Sequence, residues 1–238
     1  MSEQINFWDE ETKKDNYVKN FLRGAEINRW IEMLTNVEGK EDTLIEGKVL
    51  EIGGGSQFLS RFIATERPSN VICTDISSER ISFFQEFYGE KDNLEIRGDV
   101  NAECLPFSDS EFDFIVGDAV LHHIEDLRTA LLEISRCLKD DGLAIFIREP
   151  TLGIYTPLRR EQRRIFGSRE FESFASAYRS ENRYEYCRYP VQWNEEFFRA
   201  GFKSKRYPGW YYYTFKNRVF SLFPNVFTSL SVYVLKKN

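Results

Sequence analysis

The chain has 238 residues, 42% of them hydrophobic, which suits one α/β domain with a modest appendage and argues against disorder as the main state. Its net charge of −6 is unevenly spread: residues 1–150 carry 16 Lys+Arg against 31 Asp+Glu, and residues 151–238 carry 16 against 7. A basic second part next to an acidic first part suits an anionic partner, or else a solvated surface of mixed charge.

Four cysteines (Cys73, Cys104, Cys137, Cys187) lack CxxC or metal-ligand spacing, so neither a disulfide framework nor a metal site is expected. Residues 1–15 are acidic without an apolar core, which reads as no signal peptide. No apolar run approaches the roughly 18 residues of a membrane span. The expectation is a cytoplasmic protein.

In chain order, Asp15–Thr35 reads as an amphipathic helix with Tyr17, Phe21, Ile27, Ile31 and Leu34 near one face, and Gly39–Gly47 as a polar connector. Short β-rich runs then alternate with helical stretches. Strands are expected at Lys48–Ile52, Asn70–Thr74, Leu94–Arg97, Phe112–Val116 and Leu143–Ile147, and helices at Ser56–Thr65, Ser77–Tyr88 and Ile124–Leu138. That alternation implies a parallel sheet covered on both faces, with ligands at the carboxyl ends of its strands. Thr151–Pro190 has eight Arg, no Lys and no strand-like run, and reads as a helical lid insertion. A short helix at Asn194–Ala200 and two late strands, Arg206–Thr214 and Leu230–Leu235, close the chain, the strands pairing antiparallel. The fold class is thus α/β, Rossmann-like and doubly wound: a mostly parallel sheet of about seven strands with an antiparallel C-terminal strand and a helical lid. The parts are an N-terminal helical cap (1–46), a core (47–150), the lid (151–190) and a C-terminal part of the core (191–238).

Val49-Leu50-Glu51-Ile52-Gly53-Gly54-Gly55-Ser56 runs a buried strand into glycines that allow close backbone approach to a ligand at a helix start. Alone it suits several adenosine-containing cofactors. A dinucleotide fingerprint would need a third glycine where Phe58 stands. Asp75 ends the next strand and can accept from ribose hydroxyls, in NAD as well as in other adenosine ligands; helix capping is the plain alternative.

Downstream come Gly98-Asp99-Val100, then Leu105-Pro106-Phe107-Ser108-Asp109-Ser110-Glu111-Phe112-Asp113, then Leu121-His122-His123, then Arg136-Cys137-Leu138-Lys139-Asp140-Asp141-Gly142. Over Lys48–Pro150 this ordered set resembles the class I S-adenosylmethionine (SAM)-dependent methyltransferases, in particular their small-molecule, type 11-like branch. The resemblance implies SAM as cofactor. Glu51, Gly53, Gly54 and Gly55 match the loop that holds the methionine part, and Gln57 stands where a third glycine is usual and is a candidate contact through its amide. Asp75 matches the ribose-binding acid, Ile76 the residue flanking adenine, and Asp99 with Val100 the adenine-amino contact. Asp118 and Ala119 match the end of the fourth strand, near the methionine amino group.

His122 and His123 are the only histidines and stand at the substrate-facing edge of that strand, so His123 first and His122 second are candidate bases. The alternative is a hydrogen-bonded histidine shaping the loop. Tyr17, Arg159, Arg160 and Tyr211 are candidate substrate contacts. The expected reaction moves a methyl group to O, N or C of a small, anionic metabolite. Methylation of protein or RNA, a SAM-binding regulator without transferase activity and, more distantly, a nicotinamide enzyme are the rivals. A pI near 5.2 without a lysine-rich stripe speaks against nucleic acid, and the sequence leaves oligomeric state open.

Overall fold

Alternation along the strands builds the two faces of a single sheet. The structure, a computed structural model, describes residues 24–152, 188–210 and 229–238. In chain order these form α1 (Gly24–Glu41), β1 (Gly47–Ile52), α2 (Phe58–Glu66), β2 (Ser69–Thr74), α3 (Ser78–Tyr88), β3 (Leu94–Arg97), β4 (Phe112–Asp118), a 3-10 turn (Leu121–His123), α4 (Leu127–Cys137), β5 (Leu138–Thr151), α5 (Pro190–Arg199), β6 (Phe202–Trp210) and β7 (Ser229–Lys237). The sheet order is β3-β2-β1-β4-β5-β7-β6, with β7 running antiparallel to the other six strands.

Neighbouring residues of one strand enter different cores, as a period of two requires. Val49, Val71, Val116 and Ile147 pack on one face with Met33, Leu34 and Val37 of α1 and Leu59 and Ile63 of α2. Leu50, Ile72, Ile115 and Phe146 pack on the other with Leu131 and Ile134 of α4 and Trp193 and Phe197 of α5. Both faces of the central strands are covered, which is why their sequence is continuously apolar rather than alternating. Part of the aromatic excess lies here: Trp193, Phe197 and Tyr233 meet ring to ring, and Tyr233 Oη lies 3.0 Å from Thr151 Oγ1.

Several boundaries differ from the sequence expectation, each for a local reason. α1 runs on through Gly39 to Glu41, over part of the expected connector. Val37 extends its buried stripe, and buried Glu38 receives Arg67 through Nε (2.9 Å) and Nη2 (2.6 Å) while accepting from Ile45 N. The first part of the expected helix, with Tyr17 and Phe21, lies outside the described residues. α2 starts at Phe58 rather than Ser56 because the glycine loop continues to Gln57. β5 begins at Leu138 rather than Leu143, across the polar Lys139–Asp141, since Leu138 pairs with Phe112 before a register shift. α5 opens at Pro190, whose fixed φ suits the first helical turn. β6 starts at Phe202, pairing from Phe202 with Lys237 to Trp210 with Leu230. It tolerates Pro208 as a sheet-edge strand does.

The fold leaves one place where chain direction reverses. From β1 the chain steps to β2 and β3, then crosses to β4 on the other side. Helices leave β1 and β4 toward opposite faces, opening a crevice above the carboxyl ends of these strands.

Candidate functional site

Gly53 stands at φ +67, and a Cβ there would come within 2.3 Å of Val120 Cγ2. Glycine is therefore required both for the left-handed turn and for the approach of the β4 loop. At the end of the loop Gln57 holds φ +57, a left-handed conformation ordinarily left to glycine. The backbone thus keeps the shape expected of a third glycine without having one. Its amide offsets the strain: Nε2 donates to Ile81 O at 2.6 Å, and Oε1 accepts from Arg61 Nη2 at 2.9 Å. The side chain is wholly buried there. The expectation that this amide reaches the ligand is therefore corrected; it ties α2 to α3.

Glu51, on β1, is buried and aims at the start of α2. Its Oε2 accepts Ser60 N at 2.9 Å and the Ser60 hydroxyl, with Cys73 Sγ at 3.5 Å. Ser60 N is one of the helix's orphan donors, so the carboxylate caps α2. Burial pushes the Glu51 pKa up to about 7, the Ser60 hydroxyl opposes this, and the charge of Asp118 adds to it.

Asp75 follows β2. Its Oδ1 accepts Ser77 N at 2.9 Å, while the Ser77 side chain accepts Arg80 N and caps α3. Capping is thus the work of Ser77, and Asp75 faces the crevice, tied to the next loop by Val100 N donating to its carbonyl. Asp99 is exposed and accepts from Ser78 Oγ at 2.9 Å; Val100, not the Asp99 side chain, forms the wall.

Asp118 closes β4 and is held by Arg148, whose Nε and Nη2 lie 2.5 Å from its two oxygens. Ala119 and Arg148 both have positive φ, +52 and +57. Glu149, fully buried, accepts Val120 N, Leu121 N and His122 N at 2.9, 2.9 and 3.2 Å, and lies 2.8 Å from His122 Nδ1. His122 is thereby turned inward, and its expected part as second base is corrected to shaping the turn. His123, its ring 3.9 Å from that of His122, lies on the crevice wall.

Together these residues enclose a cavity of about 260 Å³, close to the small end of the range for small-molecule sites. Of the residues named from sequence, it brings together Glu51, Gly53, Asp75, Ile76, Val100, Asp118, Ala119 and His123. Gly54, Gly55, Gln57 and Asp99 lie outside its wall, although a Cβ on Gly55 would meet Asp75 and Arg80 within 3 Å. Tyr17, Arg159, Arg160 and Tyr211 lie outside the described residues. Sequence reasoning missed Arg148, Asn101, Glu103 and Ile124 on the wall, and Glu149 behind it. Arg148-Glu149 carried a usable signal: two charges directly after the expected strand Leu143–Ile147, as Asp75 directly follows the expected strand Asn70–Thr74.

Other motif residues are structural. Arg136 donates to Leu105 O, Phe107 O, Asp109 and Glu133, pinning the Leu105–Asp109 loop, and Glu133 accepts Leu105 N. Among the described residues no helix is long and apolar enough to cross a membrane, and no cluster of three His, Cys, Asp or Glu could hold a metal ion.

Comparison with known proteins bears on this crevice. Residues 50–146 match a family model described as "Methyltransferase domain". The uncharacterized methyltransferase YcgJ of Bacillus subtilis is 32% identical over 103 residues, covering 43% of this chain and 40% of that protein. A fatty-acid O-methyltransferase of Mycolicibacterium smegmatis is 30% identical over 127 residues, covering 51% and 44%. The chain thus spans less than half the length of these two curated relatives. The solved structure of YcgJ shares the fold at a TM-score of 0.58, with 18% identity over 87% of this chain and 99% of that one.

Proposed function

Residues 50–146 are a class I SAM-dependent methyltransferase domain, and on that premise we propose that the chain moves a methyl group from SAM to O, N or C of a small, anionic metabolite. The observation that carries this reading is the acid-lined crevice above β1, β2 and β4, where Glu51, Asp75 and Asp118 share one wall with the glycine loop. A sulfonium and an ammonium make SAM cationic, and acidic walls favour such a ligand. In this reading Asp75 takes the ribose hydroxyls, Ile76 and Val100 the adenine, and the Gly53 backbone with Asp118 the methionine end. An anionic acceptor suits the basic residues 151–238.

SAM supplies an electrophilic methyl group, so displacement at carbon needs no covalent nucleophile from the protein. What this chain provides is placement of acceptor and methyl in line, and exclusion of water. A hydroxyl or ammonium acceptor also has to lose a proton, and His123 is the imidazole on the wall that can take it. We expect His123→Ala to lower turnover by roughly 10²–10⁴-fold at unchanged SAM affinity. Unaltered turnover would reduce His123 to a structural part.

Methyl-labelled SAM incubated with the protein and a metabolite extract tests the reading. Label is expected in a small-molecule product. Label in protein or RNA would replace the acceptor class, and binding without transfer would favour a regulatory SAM-binding role.

A further inference from the structure

The two edges of the sheet present surfaces of opposite charge, and neither belongs to the crevice. At one edge α3 packs against β3. Its inner face buries Ile81 and Phe84, while Phe83 is 40% and Phe87 56% exposed, one helical turn apart. Both rings are held edge-on by their chain neighbours, Phe83 by Phe84 at 5.3 Å and Phe87 by Tyr88 at 5.0 Å. Glu86, Glu90 and Asp92 are exposed beside them and, among the described residues, make no ion pair. Lys91 is the one cation from Ile81 to Asp92. An exposed aromatic pair rimmed by charge marks an interaction surface.

The other edge is β6. Lys205 pairs with Val234 and Tyr207 with Val232, and both valines belong to the core beneath α1. A period of two therefore puts Lys203 and its cross-strand partner Lys236 on the same face. Lys40, at the end of α1, joins them: its ammonium lies 5.0 Å from the Tyr207 ring centre, and that of Lys205 lies 5.3 Å from the same ring. Glu41 pairs with Lys205, but Lys40, Lys203 and Lys236 make no ion pair among the described residues. Lysine on an edge strand guards against unwanted strand pairing. That does not account for Lys236, which stands on β7, inside the sheet and directly opposite Lys203. Like charges so placed destabilise a sheet, and an anionic partner reverses that cost.

We propose that the acidic, Phe-bearing face of α3 in one copy of the chain docks on the lysine face of β6 and β7 in a second copy. Each face supplies what the other lacks: carboxylates and two aromatic anchors on α3, ammonium groups on long apolar stems on the strands. Two different faces meet, so the contact is heterologous and copies add head to tail. None of these residues lines the crevice, which the association leaves open.

Sedimentation equilibrium of the full chain tests this. The wild type should exceed the 28.1 kDa of one chain as its concentration rises, at or below about 1 mM. Raising salt from about 0.05 M to about 0.5 M should weaken the association roughly tenfold. Phe87→Ser should weaken it by about tenfold as well. Lys203→Glu with Lys236→Glu makes both faces acidic, and Glu86→Lys with Glu90→Lys makes both basic. Each of these variants alone should stay monomeric, and an equimolar mixture of the two should associate again, which misfolded variants would not do. A wild type that stays monomeric throughout would overturn the proposal and leave the two faces to other proteins. Association untouched by the charge reversals, or variants that do not recover on mixing, would overturn the pairing of these faces.

Discussion

Replacing Glu149 by alanine is expected to remove about 3–5 kcal/mol of folding stability, the largest effect of any single substitution around the crevice. The side chain is fully buried and serves four donors, the backbone N–H groups of residues 120–122 and the His122 ring. Alanine would leave these donors buried without an acceptor, each at about 1–3 kcal/mol before water or relaxation recovers part. Glu149→Gln keeps one acceptor oxygen but turns an amide N–H₂ toward donors, so about half the loss should persist. Denaturant midpoints at constant m-value measure both variants. A loss under about 1 kcal/mol for alanine would mean that the turn carrying His123 holds itself.

The ligand-free protein should lose up to about 3 kcal/mol of stability as pH rises from about 4.5 to 7, through Glu51 alone. Its pKa is raised in the folded state from 4.5 to about 7, chiefly by burial. Between these values the folded chain binds a proton that the unfolded chain has released, so stability is full below 4.5 and declines as pH climbs through 7. Glu51→Gln should flatten this part of the curve, and the difference between the two proteins isolates it from other titrations. A cationic cofactor reverses the preference: SAM affinity should rise through pH 7 in the wild type and stay level in Glu51→Gln. Identical stability profiles for both proteins would show that folding leaves the Glu51 pKa unchanged.

How much of this was readable beforehand depended on the kind of signal. The glycine loop and Asp75 were legible because chain geometry demands particular residues there: Gly53 must clear Val120, and buried strands must end where polar groups emerge; the β4 end was read from the family resemblance. Gln57 looked like a departure from the pattern, yet the backbone conformation survived, sustained by bonds to Ile81 and Arg61 that no local spacing reveals. His122 and His123 were indistinguishable as text. Only Glu149, 27 residues later in sequence, decides which ring turns inward. The place of Arg148 after an expected strand was readable, but its pairing was not, since its partner Asp118 lies across a strand pairing rather than nearby in the chain. The extension of α1 through Gly39 depended on Glu38 finding Arg67, again a tertiary match that overrides a polar local pattern.

Titration of the wild type and Asp75→Ala with SAM, S-adenosylhomocysteine and NAD tests the central claim most directly. The wild type should bind the first two and not NAD. Asp75→Ala should bind them roughly tenfold to hundredfold more weakly, about 1–3 kcal/mol for the unpaired ribose edge, with its folding checked separately because Ser77 N also loses an acceptor. Tight binding of NAD, or SAM affinity unmoved by the loss of Asp75, would contradict the placement of SAM in this crevice.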